Sequence, residues 1–174
     1  MFEVIFSSKS FDKGPWDCAV ITVNQDRRPL QGYAALVDWR LNGRLSRLIL
    51  QERFSGSWKE TLLLPAEGRI HEKGILALGV GVEDSFDEGR AAQFILFLLE
   101  KLSLMQVSSV ALSLHEICPQ SFDWRNMVRY LVARLEEYPP LQKVAFYEPP
   151  SLIQEVQRRR MDFGEKVEIF FEQM

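Results

Sequence analysis

Residues 17–23 read DCAVITV, a continuous apolar run rich in β-branched residues, and this run decides the fold class. An uninterrupted run of this kind is typical of a strand that is covered on both faces. A second such run, ILALGV at residues 75–80, follows a shorter predicted strand at 61–64. Strands that alternate with helices along the chain favour a largely parallel sheet with helices on both faces.

Helical periodicity appears in the segments between these strands. Apolar residues form one stripe from residue 32 to about residue 51, so we predict one helix there, weakened by Asn-Gly at 42–43. A second helix is predicted after Ser85, which stands three residues before Glu88 at the spacing of a capping box. The remaining predicted elements are strands at 2–6, 107–114, 143–147 and 167–171 and helices at 123–137 and 150–160.

The first and last predicted strands alternate apolar and polar residues more clearly than the middle ones do. A strand of this kind has one face less well covered, so we predict that both are edge strands and that the sheet is mixed. No repeat, linker or low-complexity tract interrupts the pattern. We therefore expect a single α/β domain over residues 1–174.

Composition excludes several classes of function. The 174 residues include 21 Lys and Arg against 24 Asp and Glu, a net charge of −3, which argues against a nucleic-acid partner. The apolar runs are too short for a membrane-spanning helix, and the first residues show no secretory signal. Two cysteines cannot form a disulfide framework, so we expect a cytoplasmic protein.

The most suggestive stretch for a ligand is GVGVED at residues 79–84, between a predicted strand and a predicted helix. A glycine turn at a helix N-terminus is the geometry that cradles phosphates. However, Glu83 and Asp84 place two negative charges there, and no Lys or Arg lies between Gly79 and Glu88 to offset them. A tight turn with acidic helix caps explains the same pattern, so both interpretations stay open.

Metal binding and covalent catalysis are the other possibilities. Zinc requires three or four ligands, and His71, His115, Cys18 and Cys118 show no paired ligand spacing. We therefore expect no metal and no cofactor, and we expect Cys18 to be a small buried apolar residue. A Cys118 nucleophile with His115 as its base is a third hypothesis. Nucleophile-elbow, P-loop and complete dinucleotide motifs are not found in the sequence.

Residues 16–114 resemble the N-terminal domain of the leucyl aminopeptidase family, the cytosol-type dizinc metallopeptidases. The segments that carry the resemblance are DCAVITV, GYAALVDWRLNGRLSRLI, ERFSGSWKETLLLP, ILALGVG and the predicted helix before VSSVALSL. The resemblance implies a three-layer α/β/α fold like that of macro domains, with a mixed, largely parallel central sheet.

The same resemblance implies a non-catalytic role. In the family, the metal ligands and the catalytic lysine lie in a separate C-terminal domain, and its N-T-D-A-E-G-R motif is not found in this sequence. No catalytic or metal residue is therefore assigned. We expect a protein-interaction or oligomerisation module that binds a full-length aminopeptidase or a second copy of itself through an edge strand.

The alternative implied by the macro-like fold is a binder of ADP-ribose or a related nucleotide. The asparagine-rich segment and the glycine-rich diphosphate loops of such binders are not recognisable in this sequence. The candidate ligand-binding residues are Gly79, Gly81, Asn24, Ser85 and His115.

Overall fold

The computed structural model describes residues 1–70, 72–117 and 123–173. The strands in these ranges are β1 (Phe2–Ser7), β2 (Cys18–Asn24), β3 (Thr61–Pro65), β4 (Gly74–Gly81), β5 (Ser109–Leu112), β6 (Lys143–Tyr147) and β7 (Val167–Glu172). The helices are α1 (Gly32–Arg40), α2 (Arg44–Leu50), α3 (Glu88–Leu104), α4 (Leu114–Ile117), α5 (Trp124–Val132) and α6 (Pro150–Arg159).

These strands form one sheet in the order β3-β4-β2-β5-β6-β1-β7. All neighbours are parallel except β3, which runs antiparallel to β4. The prediction of a mixed, largely parallel sheet is confirmed. The antiparallel strand that makes it mixed lies at one edge, and β7 lies at the other.

The prediction that the first strand is an edge strand is wrong, because β1 lies between β6 and β7. Its alternation depends on one charged residue, Glu3, whose carboxylate pairs with the Lys143 ammonium of β6 at 2.6 Å. Ile5, on the same face as Glu3, is buried among the residues that pack beneath α1 and α2. A polar residue at the end of an interior strand therefore produced the pattern of a half-exposed strand.

The single helix predicted from residue 32 to about residue 51 is in fact two helices. The chain turns between α1 and α2, where Asn42 has φ of 54° and Gly43 has φ of 71°. Both values are in the left-handed region, which asparagine and glycine adopt more readily than other residues do. The weak point in the predicted helix is therefore a complete break.

The predicted capping box at Ser85 is also wrong. Asp87 is the N-cap of α3, and its carboxylate accepts a hydrogen bond from the backbone N–H of Arg90 at 2.8 Å. The side chain of Asp87, directly before the helix, is within reach of the Arg90 N–H and caps it. Ser85 does not cap the helix and lies in a short 3₁₀ turn at Glu83–Ser85.

Two further elements are shorter than predicted. The strand predicted at 107–114 ends at Leu112, since α4 begins two residues later. The helix predicted at 123–137 ends at Val132 and is followed by a 3₁₀ turn at Leu135–Glu137.

Two buried apolar clusters lie on opposite faces of the sheet. The first cluster includes Phe94 and Leu98 of α3 and Val128 of α5. The second cluster, on the opposite face, includes Val37 of α1 and Leu45 of α2. Each fully buried side chain of this size contributes roughly 2 kcal/mol to folding. The three-layer arrangement is thereby confirmed. No helix in the described ranges has both the length and the apolarity to cross a membrane.

Candidate functional site

A cleft of about 500 Å³ opens at the carboxyl ends of β2, β4 and β5. Ligands bind at this edge in open α/β sheets, because the strand ends and the loops that follow them converge there. The lining residues are Thr22, Val23, Asn24, Arg27, Leu30, Gln31, Gly32, Ala34, Val80, Glu83, Phe86, His115, Glu116 and Ile117.

The rim of the cleft carries an ion pair that the sequence did not reveal. The Arg27 guanidinium lies 2.8 Å from the Glu83 carboxylate, and both side chains are about half exposed. The backbone N–H of Glu83 donates to the Asp26 carboxylate at 3.0 Å. Arg27 comes from the loop after β2 and offsets Glu83, although no basic residue is near Glu83 in sequence.

Glu116 occupies the N-terminus of α1. Both of its carboxylate oxygens lie 3.0 Å from the backbone N–H of Tyr33, the second residue of the helix. A Cβ atom on Gly32 would lie 2.3 Å from the same carboxylate, so a larger residue there would force the Glu116 side chain to move. Partial desolvation raises the pKa of Glu116, against the hydrogen bond from Tyr33. A helix N-terminus favours an anion, and here the chain supplies its own.

Glu148 occupies the N-terminus of α4 in the same way. Its buried carboxylate accepts hydrogen bonds from the backbone N–H groups of Leu114 at 2.7 Å and His115 at 3.2 Å and from the Ser113 hydroxyl at 3.2 Å. Burial raises the pKa of Glu148 to about 8, although these hydrogen bonds oppose the rise. The backbone donors of Leu114 and His115 are therefore already used within the protein.

The loop at residues 55–57 packs against the end of β4 and is not part of the cleft lining. Its backbone N–H groups donate to one oxygen of Glu60 at 2.9 to 3.1 Å. A Cβ atom on Gly79 would lie only 1.9 Å from the Ser57 carbonyl oxygen. Gly81 donates its N–H to the same loop at 2.9 Å. Close packing of this loop is therefore enough to explain why position 79 is glycine.

The structure brings together some of the predicted ligand-binding residues and not others. Asn24 and His115 line the cleft, whereas Gly79, Gly81 and Ser85 are not part of its lining. The Ser85 hydroxyl donates to the Val82 carbonyl at 2.6 Å and accepts from the Arg90 guanidinium at 2.7 Å.

The predicted burial of Cys18 is confirmed, and burial raises the pKa of its thiol to about 12. Cys118 and His71, the other residues of the metal and nucleophile hypotheses, lie outside the described residues. Within the described part of the chain, no three His, Cys, Asp or Glu side chains are grouped as a metal site would require.

Three charged residues of the cleft region were not predicted from the sequence: Arg27, Glu116 and Glu148. A signal was present for Glu148, since it directly follows the strand at 143–147 and the carboxyl ends of parallel strands meet at one edge. Glu116 stands beside His115, but its contact with Tyr33 spans 83 residues of sequence.

The second surface of interest is β7, the outermost strand beside β1. Phe170 is 45 % exposed and Phe171 is 38 % exposed, although they lie on opposite faces of the strand. Phe171 stacks on Phe6 of β1 with ring centroids 5.7 Å apart. Large apolar side chains on an open strand edge are characteristic of sites where another chain adds to the sheet.

Comparison with known proteins identifies the fold as that of a protein family. The family described as "Cytosol aminopeptidase family, N-terminal domain" matches residues 20–138. The chain belongs to this family. Probable cytosol aminopeptidases from Burkholderia orbicola and Paraburkholderia xenovorans are 27 % and 31 % identical over 83 % and 74 % of the chain. The chain spans only 29 % and 25 % of those two proteins.

Solved structures show the same fold at low sequence identity. The macro domain of ganglioside induced differentiation associated protein 2 has a TM-score of 0.72 at 14 % identity, over 94 % of this chain and 85 % of that one. A tomato leucine aminopeptidase has a TM-score of 0.60 at 11 % identity, over 92 % and 36 %. A Trypanosoma brucei macrodomain in complex with ADP has a TM-score of 0.60 at 14 % identity, over 83 % and 63 %. The prediction of a macro-like aminopeptidase N-terminal domain is confirmed.

Proposed function

We propose that this cytosol aminopeptidase N-terminal domain is a non-catalytic interaction module that associates with other protein chains. The observation that carries the proposal is the edge of β7, which exposes Phe170 and Phe171 and has no second neighbouring strand among the described residues. Exposed edges favour strand addition, and natural proteins usually protect them. An edge that instead exposes two phenylalanines favours a partner.

The charged side chains in and beside the cleft, which already have partners, support the same proposal. The α1 N-terminus at the cleft holds Glu116, the α4 N-terminus next to it holds the buried Glu148, and the Arg27 charge is met by Glu83. A diphosphate entering this cleft would have to displace a carboxylate or lie beside it. A carboxylate of the lining, Glu83 or Glu116, repels a phosphate more strongly in a partly desolvated cleft than it would in water.

The partners we propose are a second copy of the chain and a full-length cytosol aminopeptidase, in the cytoplasm that the relatives' name implies. Sedimentation velocity of the purified protein, alone and mixed with a purified cytosol aminopeptidase, tests this. We expect concentration-dependent association in at least one of the two samples. A protein that stays monomeric in both, up to submillimolar concentration, would overturn the proposal.

A nucleotide ligand is the second candidate function, and the size and place of the cleft favour it. About 500 Å³ at the carboxyl ends of β2, β4 and β5 is room for a nucleotide. Asn24 and His115 would contact such a ligand, with Gly79, Gly81 and Ser85 behind them. Calorimetric titration with ADP-ribose tests it: saturable heat at micromolar ligand would establish this function, and the absence of heat would leave the interaction module.

A further inference from the structure

We propose that β7 pairs antiparallel with β7 of a second copy, with Ile169 opposite Ile169 of that copy. The two sheets would then join into one continuous sheet across a twofold axis. The inference rests on the proposed interaction function and specifies its partner and its register. Three features of β7 support this pairing: the direction of its backbone groups, the order of its side chains and the charges at its two ends.

The backbone of β7 uses every second residue for its contact with β1. Phe2 donates its N–H to the Lys166 carbonyl at 2.7 Å, and Ser8 donates to the Glu172 carbonyl at 3.0 Å. Because hydrogen-bonding direction alternates along a strand, the even-numbered residues of β7 face β1. Ile169 and Phe171 therefore point their N–H and C=O groups away from the sheet, where a second strand would pair with them.

The register follows from the side chains. With Ile169 opposite its own copy, Val167 faces Phe171 of the second copy, and the apolar face of each strand continues into the other. Glu168 and Phe170 then oppose each other on the second face. The two copies of Phe170 become diagonal neighbours, a distance that aromatic side chains can bridge. Both exposed phenylalanines lose solvent contact in this arrangement.

The charges select this register over its neighbour. Centring on Ile169 places Lys166 of one copy opposite Glu172 of the other at both ends of the paired segment. Moving the centre by one residue, to Phe170, would place Glu168 opposite Glu172, and like charges directly opposite each other destabilise a strand pair. A twofold pair repeats each contact twice, so this preference is doubled.

The ion pairs that these residues already make do not oppose the association strongly. Lys166 lies 2.9 Å from Glu136, and Glu172 lies 3.3 Å from Lys9. The four side chains are all substantially exposed, and exposed pairs contribute at most about 1 kcal/mol each. Lys166 and Glu172 therefore remain available to a second copy.

The opposite edge of the sheet is less suited to pairing. β3 has five residues and ends in Pro65, which has no N–H to donate. It exposes Leu63, a single large apolar residue at the outer edge. This strand therefore provides a matched control for substitutions on β7.

The test uses Lys166→Glu and Glu172→Lys as single variants and as an equimolar mixture, measured by sedimentation velocity. Each variant alone places like charges at both ends of the pair, so self-association weakens about tenfold. The mixture places Glu opposite Lys at both ends and restores association to the wild-type level. Circular dichroism of each variant, compared with the wild-type spectrum, confirms that the fold is kept.

The outcomes separate this inference from the proposed function. Wild-type self-association that neither variant weakens, or a mixture no stronger than its components, overturns the β7 pairing but leaves an interaction module. A wild-type protein that is monomeric alone yet binds a cytosol aminopeptidase also overturns only the β7 pairing. A protein that is monomeric in both samples overturns both.

Discussion

The cleft and the β7 edge differ in whether their polar groups already have partners. At the cleft, Glu116 accepts a hydrogen bond from Tyr33 in the first turn of α1, and the buried Glu148 next to it accepts one from Leu114, the first residue of α4. At the sheet edge, β7 pairs with β1 on one side, and the side chains of Phe170 and Phe171 are exposed. The cleft has the shape of a binding site, whereas the strand edge turns the backbone groups of Ile169 and Phe171 away from the sheet, with no second neighbouring strand among the described residues.

The largest expected effect is the change of folding stability with pH, which comes from the buried carboxylate of Glu148. Burial raises the pKa of Glu148 to about 8, so the folded state holds this proton more tightly than the unfolded chain does. This contribution is complete below pH ~4.5 and is lost as the pH rises to about 8, on the order of 5 kcal/mol in total. Urea unfolding from pH 5 to pH 9 measures the loss.

The Glu148→Gln variant should remove that part of the pH dependence and retain the part that comes from Glu72. Burial raises the pKa of Glu72 to about 7, and among the described residues neither of its side-chain oxygens has a hydrogen-bond partner. Substituting the exposed Glu136 by Gln is the control. A wild-type stability that is flat over this range would show that the Glu148 carboxylate is not closed off from solvent.

Gly79→Ala should produce the next largest effect. The added Cβ would lie 1.9 Å from a backbone oxygen of the loop at residues 55–57, so the loop or the end of β4 must move. We expect a loss of roughly 3 kcal/mol in the free energy of unfolding, measured in urea. Gly89→Ala in α3 is the matched control, because its Cβ meets only one atom, at 3.5 Å. Equal stability of the two variants would contradict the account of this loop.

Glu116→Ala should have a smaller effect on stability, and its effect on ADP-ribose binding shows whether Glu116 blocks the cleft or contacts a ligand there. Losing the carboxylate at the α1 N-terminus costs about 1 kcal/mol and frees the N–H of Tyr33. We expect ADP-ribose to bind this variant more tightly than the wild type in calorimetry, with Glu136→Ala unchanged. Tighter binding by the wild type would mean that Glu116 contacts the ligand, and the cleft would then be the functional site.

The fold was more predictable from the sequence than the site was. The β2 and β4 runs identify interior parallel strands because such strands are apolar on both faces. The position of β1 was not predictable, since one glutamate at its end imitates a half-exposed strand. The contact of Glu148 with Leu114 spans 34 residues, and such pairs depend on strand order rather than on local pattern. The places of Asn24 and His115 were predictable because Asn24 ends β2 and His115 lies three residues after the end of β5.

The sequence of β7 contains a local signal for an exposed apolar edge. The predicted strand at 167–171 alternates until Phe170, which stands where a polar residue would continue the pattern. A second phenylalanine on the solvent face of an edge strand is unfavourable for an isolated chain, and the proposed partner strand would cover it.

The most direct test of the account compares Phe170→Glu with Leu63→Glu by sedimentation velocity, with and without ADP-ribose. Both substitutions place a carboxylate on an exposed apolar position of an edge strand, but only Phe170 faces Glu168 of a second copy. The account predicts that Phe170→Glu weakens self-association about tenfold or more, that Leu63→Glu leaves it unchanged, and that ADP-ribose has no effect. Equal effects of the two substitutions, or association that depends on ADP-ribose, would contradict it.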